Sequence, residues 1–269
     1  MSAETPLWFD ATYYAEQKLD QMSLIKWDGK TGWTYSAYLD ELAKYDVTPY
    51  ENFVASNEVH NLRLTNLSPN PLFNVNEYLT ALADYANRTN YSYPGYKAGE
   101  WTAQKAMEHM FNDYHVSAWD HFTLAGQYNL INPSNDFDIT AYYDELTAWR
   151  NSYVDPKTGA KGWEGRTDWT RLDVIEDNIW NETNPIEGLF GEAAGSGIRP
   201  QAVAASQRVT VDSDWNPWVE VETSTPVTPT RPGGSSSSGS GHGSGSGSGG
   251  SSSGSDDADD DAWLPDGAV

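Results

Sequence analysis

Three histidines spaced six residues apart are the first candidates for chemistry in this chain. His109, His115 and His121 lie in the stretch HMFNDYHVSAWDHF, together with Asp113 and Asp120. Imidazole and carboxylate groups are zinc ligands, so the stretch raises the hypothesis of a metal-dependent enzyme. The spacing argues against it, because residues six apart on a helix point about 240° apart, whereas zinc-binding helices place two histidines four apart. We therefore expect structural or surface roles for the three histidines.

Other catalytic patterns are missing as well. Outside the Gly/Ser-rich tail, the sequence has no G-x-S-x-G, G-x-G-x-x-G or G-x-x-x-x-G-K-[ST] motif. Pairs of carboxylates carry little weight, because a chain with 39 Asp and Glu offers every spacing. A hydrolase that uses acids near the aromatic residues stays open as a minor alternative.

Composition restricts the partners. The chain has no cysteine, which excludes disulfides and thiolate metal sites. Its 16 basic and 39 acidic side chains give a net charge of −23, which argues against nucleic acid and anionic membranes and suits a calcium-rich medium. No apolar run approaches the roughly 18–20 residues of a membrane span. The first residues lack the features of a classical signal peptide, so we expect any export to use another signal.

The composition changes sharply along the chain. Residues 223–255 are first rich in Pro and Thr and then in Gly and Ser, and residues 256–269 are acidic. Such segments bury little apolar surface, so a flexible linker and a disordered acidic tail are predicted after a folded part that spans about 1–222.

The folded part contains an internal repeat. Aromatic hexapeptides recur every 64 residues, Trp-Thr pairs recur every 68, and a third anchor follows each pair in the same order. The first anchor begins at Phe9, Phe73 and Phe137, the second at Trp33, Trp101 and Trp169, and the third at Thr48, Ser117 and Asn184. We interpret three copies of one unit, near 6–70, 71–134 and 135–194, followed by an irregular extension. The recurring Phe and Trp side chains are predicted to be buried equivalents.

Each anchor also resembles the start of a helix. Ser, Thr, Asp and Asn are favoured N-cap residues, because their side-chain oxygens accept free N–H groups of the first turn. The predicted N-caps are Asp10, Asn74 and Asp138, then Thr34, Thr102 and Thr170, then Thr48, Ser117 and Asn184, the last three with capping-box spacing. Apolar spacing behind the caps is helical, so the fold is predicted to be all-α, with three tandem three-helix repeats of about 64 residues.

When the three units are aligned on these anchors, His109 matches Glu41 and Asp177, which favours a solvent-facing position.

The pattern F-D-x-x-Y-Y, W-T and T-P-x-E-x-F over residues 6–194 resembles a helical repeat of large Gram-negative secreted or surface proteins. These include S-layer-like proteins and RTX-type proteins, which bind calcium and leave the cell by type I secretion. The resemblance implies scaffold roles for Phe9, Tyr14, Trp33, Pro49 and their counterparts. Here the RTX nonapeptide is absent and the third unit has Gly188-Leu189 in place of Asn52-Phe53. Calcium binding therefore remains only a possibility, with the DDADDD run as its best ligands.

The loops between the first and second helices of the units form a speculative binding face. Each loop contains a K-x-G triplet and aromatic residues that differ between units, and equivalent loops of a repeat array emerge on one face. The candidate residues are Trp27, Lys30, Tyr93, Tyr96, Lys97, Lys157 and Trp163. Aromatic rings beside cations suit glycan stacking or contact with an acidic neighbour, including another copy of the chain. The alternative is that these loops are ordinary turns.

The sequence as a whole favours a non-enzymatic secreted or cell-surface module of a bacterium, with a structural or interaction role and no cofactor. The expected partners are another copy of the chain, a surface glycan or another surface protein. A glycan- or peptide-binding adhesin is the first alternative.

Overall fold

The computed structural model describes residues 4–58, 66–212 and 215, and this part of the chain is all-α. The chain divides into two units, Met1–Glu220 and Val221–Val269. The second unit contains the predicted linker and tail, and it lies outside the described residues. Extended backbone within the described residues pairs only as isolated bridges, such as that between Tyr93 and Tyr96. The described helices are α1 (Ala11–Leu24), α2 (Tyr35–Ala43), α3 (Pro49–Glu58), α4 (Val75–Arg88), α5 (Ala103–His109), α6 (Ala118–His121), α7 (Ile139–Ser152), α8 (Arg171–Trp180) and α9 (Pro185–Phe190).

The predicted N-caps of the first two anchors are confirmed. The Asp10 carboxylate accepts hydrogen bonds from the backbone N–H groups of Thr12 and Tyr13, each at 3.0 Å. The Thr34 hydroxyl accepts from Ala37 N at 3.2 Å at the start of α2. The same contact begins α4, α5, α7 and α8, whose N-caps are Asn74, Thr102, Asp138 and Thr170. These caps fix where each helix starts.

The third anchor forms reciprocal capping boxes. The Glu51 carboxylate accepts from Thr48 N at 2.7 Å, and the Thr48 hydroxyl accepts from Glu51 N at 3.1 Å. Ser117 with Asp120, and Asn184 with Glu187, make the same pair of contacts at the starts of α6 and α9. The shorter Asp side chain therefore serves the box as well. A further box, which we did not predict, joins Thr170 to Asp173 at the start of α8.

The recurring phenylalanines are buried, and the recurring tryptophans are buried in two of three places. Phe9, Phe73 and Phe137 have exposed fractions of 6%, 0% and 0%. Trp101 and Trp169 are buried too, but Trp33 is only half-buried, so the prediction of three equivalent tryptophans was wrong for Trp33.

The covering of each tryptophan explains the difference. The loops that precede α2, α5 and α8 span residues 25–34, 89–102 and 153–170, and they lengthen in that order. Trp101 is stacked on Tyr96 with ring centroids 5.0 Å apart. Trp169 has the Arg150 and Arg166 guanidiniums 4.5 and 4.7 Å from its ring centroid. In the shortest loop, the Lys30 ammonium lies 5.2 Å from the Trp33 ring centroid.

Hydrogen bonds join each three-helix segment to the chain that follows it. The backbone N–H of each first-helix N-cap donates to a carbonyl about 60 residues later. The three bonds run from Asp10 N to Pro69 O at 3.0 Å, from Asn74 N to Pro133 O at 3.0 Å, and from Asp138 N to Gln201 O at 2.6 Å. The residues after α9 thus supply the third segment with the hydrogen bond that the first two segments receive from residues just before the next segment's first helix.

Candidate functional site

His109 is buried, so the predicted solvent-facing position was wrong. Its side chain is 0% exposed, and Nδ1 lies 2.5 Å from the Asp113 carboxylate. The rings of Tyr93, Trp101 and Tyr114 surround it, with centroids 4.3, 5.3 and 5.0 Å from the imidazole. Burial lowers the His109 pKa below its usual value, and the Asp113 carboxylate opposes that shift. The imidazole is therefore a core group that the aromatic loop of the second segment encloses.

His121 is a buried partner for a tyrosine hydroxyl. Its Nδ1 lies 2.6 Å from the hydroxyl oxygen of Tyr78. Tyr78 is the fourth residue after the N-cap of α4. In the first segment the equivalent Tyr14 hydroxyl donates to Asn52 Oδ1 at 2.9 Å. Burial lowers the His121 pKa to about 3, so the ring is neutral near pH 7. In the tautomer with the proton on Nε2, Nδ1 accepts a hydrogen bond from the Tyr78 hydroxyl. His121 thus has the role that Asn52 has in the first segment.

The three histidines do not assemble into a metal site. His115 is exposed, and its left-handed backbone, with φ of 55°, ends the helical turn after Tyr114. Within residues 4–58 and 66–212, no group of three or more His, Asp or Glu side chains is arranged to hold a metal ion. The DDADDD run lies outside the described residues, so calcium binding there remains a prediction.

Two candidate residues of the first loop are exposed to solvent. Trp27 is 44% exposed, and its ring lines a cavity that α1 and α2 also line. Lys30 forms an exposed ion pair with Asp28 at 2.9 Å. Such a pair stabilises the fold little, because water screens both charges. This loop can present a ring and a cation to a ligand.

In the second loop the candidate aromatics pack inward. Tyr93 and Tyr96 are half-buried, and both rings contact the His109 imidazole, at 4.3 and 5.1 Å between centroids. Lys97 beside them is exposed. Much of the ring surface that we predicted for glycan stacking is therefore used in packing, and Lys97 is the group left to face a partner.

The third loop divides its candidates in a similar way. Trp163 is half-buried against Trp149 and Tyr153, with ring centroids 5.1 and 5.2 Å away. Lys157 is exposed at a turn that the Asp155 carboxylate caps through Lys157 N at 2.7 Å. The predicted binding face thus keeps its cations and Trp27 at the surface, and whether it recognises a partner stays a prediction.

A polar groove of about 980 Å³ is a second candidate site. One wall is helix α4, and the other walls are residues 129–138 and the extension around Val209. This groove could not be predicted from the sequence, because its walls come from segments that are roughly 50 to 130 positions apart.

Internal hydrogen bonds hold the walls of this polar groove. The Glu77 carboxylate accepts from Asn135 N at 2.7 Å and from Asn135 Nδ2 at 3.0 Å. Asn135 Oδ1 in turn accepts from Val209 N at 2.9 Å, which fastens the extension to the second segment. Asp84 and Arg88 are exposed on the α4 side of the groove. The groove is therefore a fixed polar surface with charges of both signs at its rim.

Comparison with known proteins leaves the function to be argued from the chain itself. None of the helices within residues 4–58 and 66–212 combines the length and hydropathy that a membrane span requires. A scan against protein-family models gives no match, and searches of curated proteins and of solved structures give none either.

Proposed function

We propose that the chain is a non-enzymatic module of a bacterial secreted or cell-surface protein, with a structural and interaction role. In this proposal the three helical segments are copies of one unit. The observation that carries it is the recurring junction: Asp10, Asn74 and Asp138 each cap a first helix and donate a backbone hydrogen bond to the chain that follows the segment. Arrays joined in this way present extended surfaces for binding, and acidic side chains keep them soluble.

The second candidate function is a glycan-binding adhesin, and the polar groove favours it. Sugars are neutral and rich in hydroxyl groups, and amide and carboxylate side chains held in place by other hydrogen bonds recognise them without further ordering. The walls around Glu77 and Asn135 meet that requirement, and Asp84 adds an exposed carboxylate at the rim. Tyr85, whose hydroxyl donates to Asn129 Oδ1 at 2.7 Å, supplies an aromatic ring in the groove.

Binding to a glycan array tests this second candidate. Asp84→Asn removes the rim carboxylate and should weaken binding about 10- to 100-fold, because a hydrogen bond to a charged group contributes about 1.5–3 kcal/mol. Glu176→Gln is the matched control, since it removes one negative charge from another exposed helical position. An array on which the parent binds nothing, or on which both variants bind as the parent does, would contradict glycan binding in the groove.

The loop face calls for a separate test of assembly and surface attachment. The joint variant Lys30→Glu, Lys97→Glu and Lys157→Glu reverses the exposed cations of the three loops, which lie outside the hydrogen-bonded core. We expect it to lose self-association or attachment to an acidic surface in sedimentation and cell-binding assays. If the variant assembles and attaches as the parent does, the loop face has no recognition role.

A further inference from the structure

A lysine occupies a core position in the first segment. Lys18 lies eight residues after the α1 N-cap and is 7% exposed. The residues eight positions after the N-caps of α4 and α7 are Leu82 and Leu146, with exposed fractions of 0% and 1%. Leucine therefore fills this core position in the other two segments, and packing alone does not account for the amine of Lys18.

This lysine lines a cavity of about 250 Å³ among α1, α2 and α3. Its inner surface includes the buried side chains of Met22 and Tyr38, and its outer part includes Trp27 and Tyr45, which are 44% and 71% exposed. This volume exceeds the roughly 150 Å³ of an apolar cavity that admits benzene, so the cavity has room for a single-ring aromatic molecule. Apolar rings at an open mouth favour an apolar ligand.

The surroundings of the amine favour its neutral form. Lys18 Nζ donates to Gln21 Oε1 at 2.9 Å, and Gln21 also lines the cavity. Burial is the cause that lowers the Lys18 pKa, to about 8. With such a pKa about half of the Lys18 amine is unprotonated at pH 8, and unprotonated amines are the nucleophiles that form Schiff bases.

We propose that the Lys18 cavity binds a small apolar aldehyde and that Lys18 Nζ forms an imine with it. The nitrogen lone pair attacks the carbonyl carbon, and the carbonyl oxygen takes up a proton to give a carbinolamine. Loss of water then forms the C=N bond, so one amine and one aldehyde give one imine and one water, with no oxidant or reductant. The apolar body of the aldehyde lies against Met22 and Tyr38, and the cavity limits it to about one ring.

The argument for an aldehyde rests on the pairing of amine and cavity. An apolar cavity alone would hold any small hydrophobic molecule, and a buried lysine alone would only cost stability. Together they select a molecule that has both an apolar body and a group that reacts reversibly with an amine. An apolar carboxylate, which would instead pair with the protonated amine, is the competing ligand and is distinguished by the experiment.

Reductive trapping of benzaldehyde tests the proposal. The full chain is incubated with benzaldehyde and cyanoborohydride at about pH 8, and the benzylated lysines are located by peptide mass spectrometry. We expect at least ten-fold more label on Lys18 than on the exposed Lys97 and Lys157 of the same molecule. Label spread evenly over the exposed lysines, or absent from Lys18, would overturn the proposal.

Two variants separate the cavity from the amine. Lys18→Leu, which copies Leu82 and Leu146, should fold as judged by circular dichroism and lose the preferential label. Ala55→Leu keeps the amine but narrows the rim of the cavity, and it should reduce label on Lys18 by several-fold. Unchanged labelling of Lys18 in Ala55→Leu would show that the cavity does not hold the aldehyde. Benzoate that binds the parent, while benzaldehyde leaves no adduct, would replace the imine with an ion pair and overturn the proposal.

Discussion

The buried His121 should add a pH dependence to the stability of this protein, and His121→Asn should remove that contribution. The imidazole is buried and hydrogen-bonded to the Tyr78 hydroxyl through Nδ1, and in the first segment Asn52 Oδ1 accepts a hydrogen bond from the Tyr14 hydroxyl. An asparagine at position 121 can accept the same hydrogen bond and carries no titratable group. Because Asn is smaller than His, the variant should be less stable by about 1–2 kcal/mol at neutral pH.

The size of the effect follows from the two pKa values of His121. The folded pKa is about 3, and an unfolded histidine titrates near 6.5. The unfolded state therefore binds the proton first, so the stability from neutral His121 is complete above about pH 6.5 and is lost as the pH falls toward 3. At pH 5 the loss is about 2 kcal/mol, since 1.5 pH units at 1.36 kcal/mol each separate pH 5 from 6.5. For about 200 ordered residues this lowers the melting temperature by roughly 4–8 °C.

Urea unfolding followed by circular dichroism at about pH 7.5 and pH 5 measures this loss. The parent should lose about 2 kcal/mol more than His121→Asn between the two conditions. His109 and the carboxylates titrate in both proteins, so the difference isolates His121. His115→Asn is the control, because it removes an exposed histidine whose left-handed backbone asparagine tolerates. Equal losses in the parent and in His121→Asn would refute the buried, neutral state of His121.

The remaining predictions concern the core and are also measured by urea unfolding. Phe73→Ala should cost about 3–5 kcal/mol, because it empties a fully buried aromatic site; a loss below 1 kcal/mol would contradict this burial. Arg150→Ala should cost about 2–5 kcal/mol, because it empties a buried side-chain site beneath Trp169 and removes the ion pair with Glu192 at 2.6 Å; a neutral result would contradict the burial of Arg150. Trp101→Ala should cost more than Trp33→Ala, because only the former ring is fully buried; the reverse order would contradict the half-burial of Trp33.

The local features of this fold could be predicted from the sequence. Helix starts depend on a few adjacent residues, so Asp10, Thr34 and Thr48 marked their caps without any knowledge of the fold. The burial of the recurring phenylalanines followed from the same reasoning, since a ring that returns at a fixed place beside a cap is most simply a packing group. Helical spacing behind the caps then identified the all-α class.

Features that depend on distant residues could not be predicted. The alignment of His109 with Glu41 and Asp177 suggested exposure, but the longer loop of the second segment brings Tyr93 and other rings over the imidazole. The signal was present, because the aromatic residues of that loop occur in the same segment as the histidine. Lys18 was missed in a similar way, since comparison with Leu82 and Leu146 would have shown a cation at an apolar position.

The polar groove could not be predicted from the sequence. Its walls are brought together by tertiary contacts, such as that between Asn135 and Val209, 74 positions apart. No local motif encodes such a pairing, and the segment around Asn135 has the composition of an ordinary turn. A groove whose walls come from distant segments can be recognised only when the tertiary structure is known.

Amide hydrogen exchange with and without a bound glycan is the most direct test of the interaction role, which the second candidate function places in the polar groove. A neutral oligosaccharide selected on the array should slow exchange in residues 129–135 and at the C-terminal end of α4, and Asp84→Asn should abolish that protection. Protection that appears only elsewhere, or no protection by any selected glycan, would contradict recognition in the polar groove.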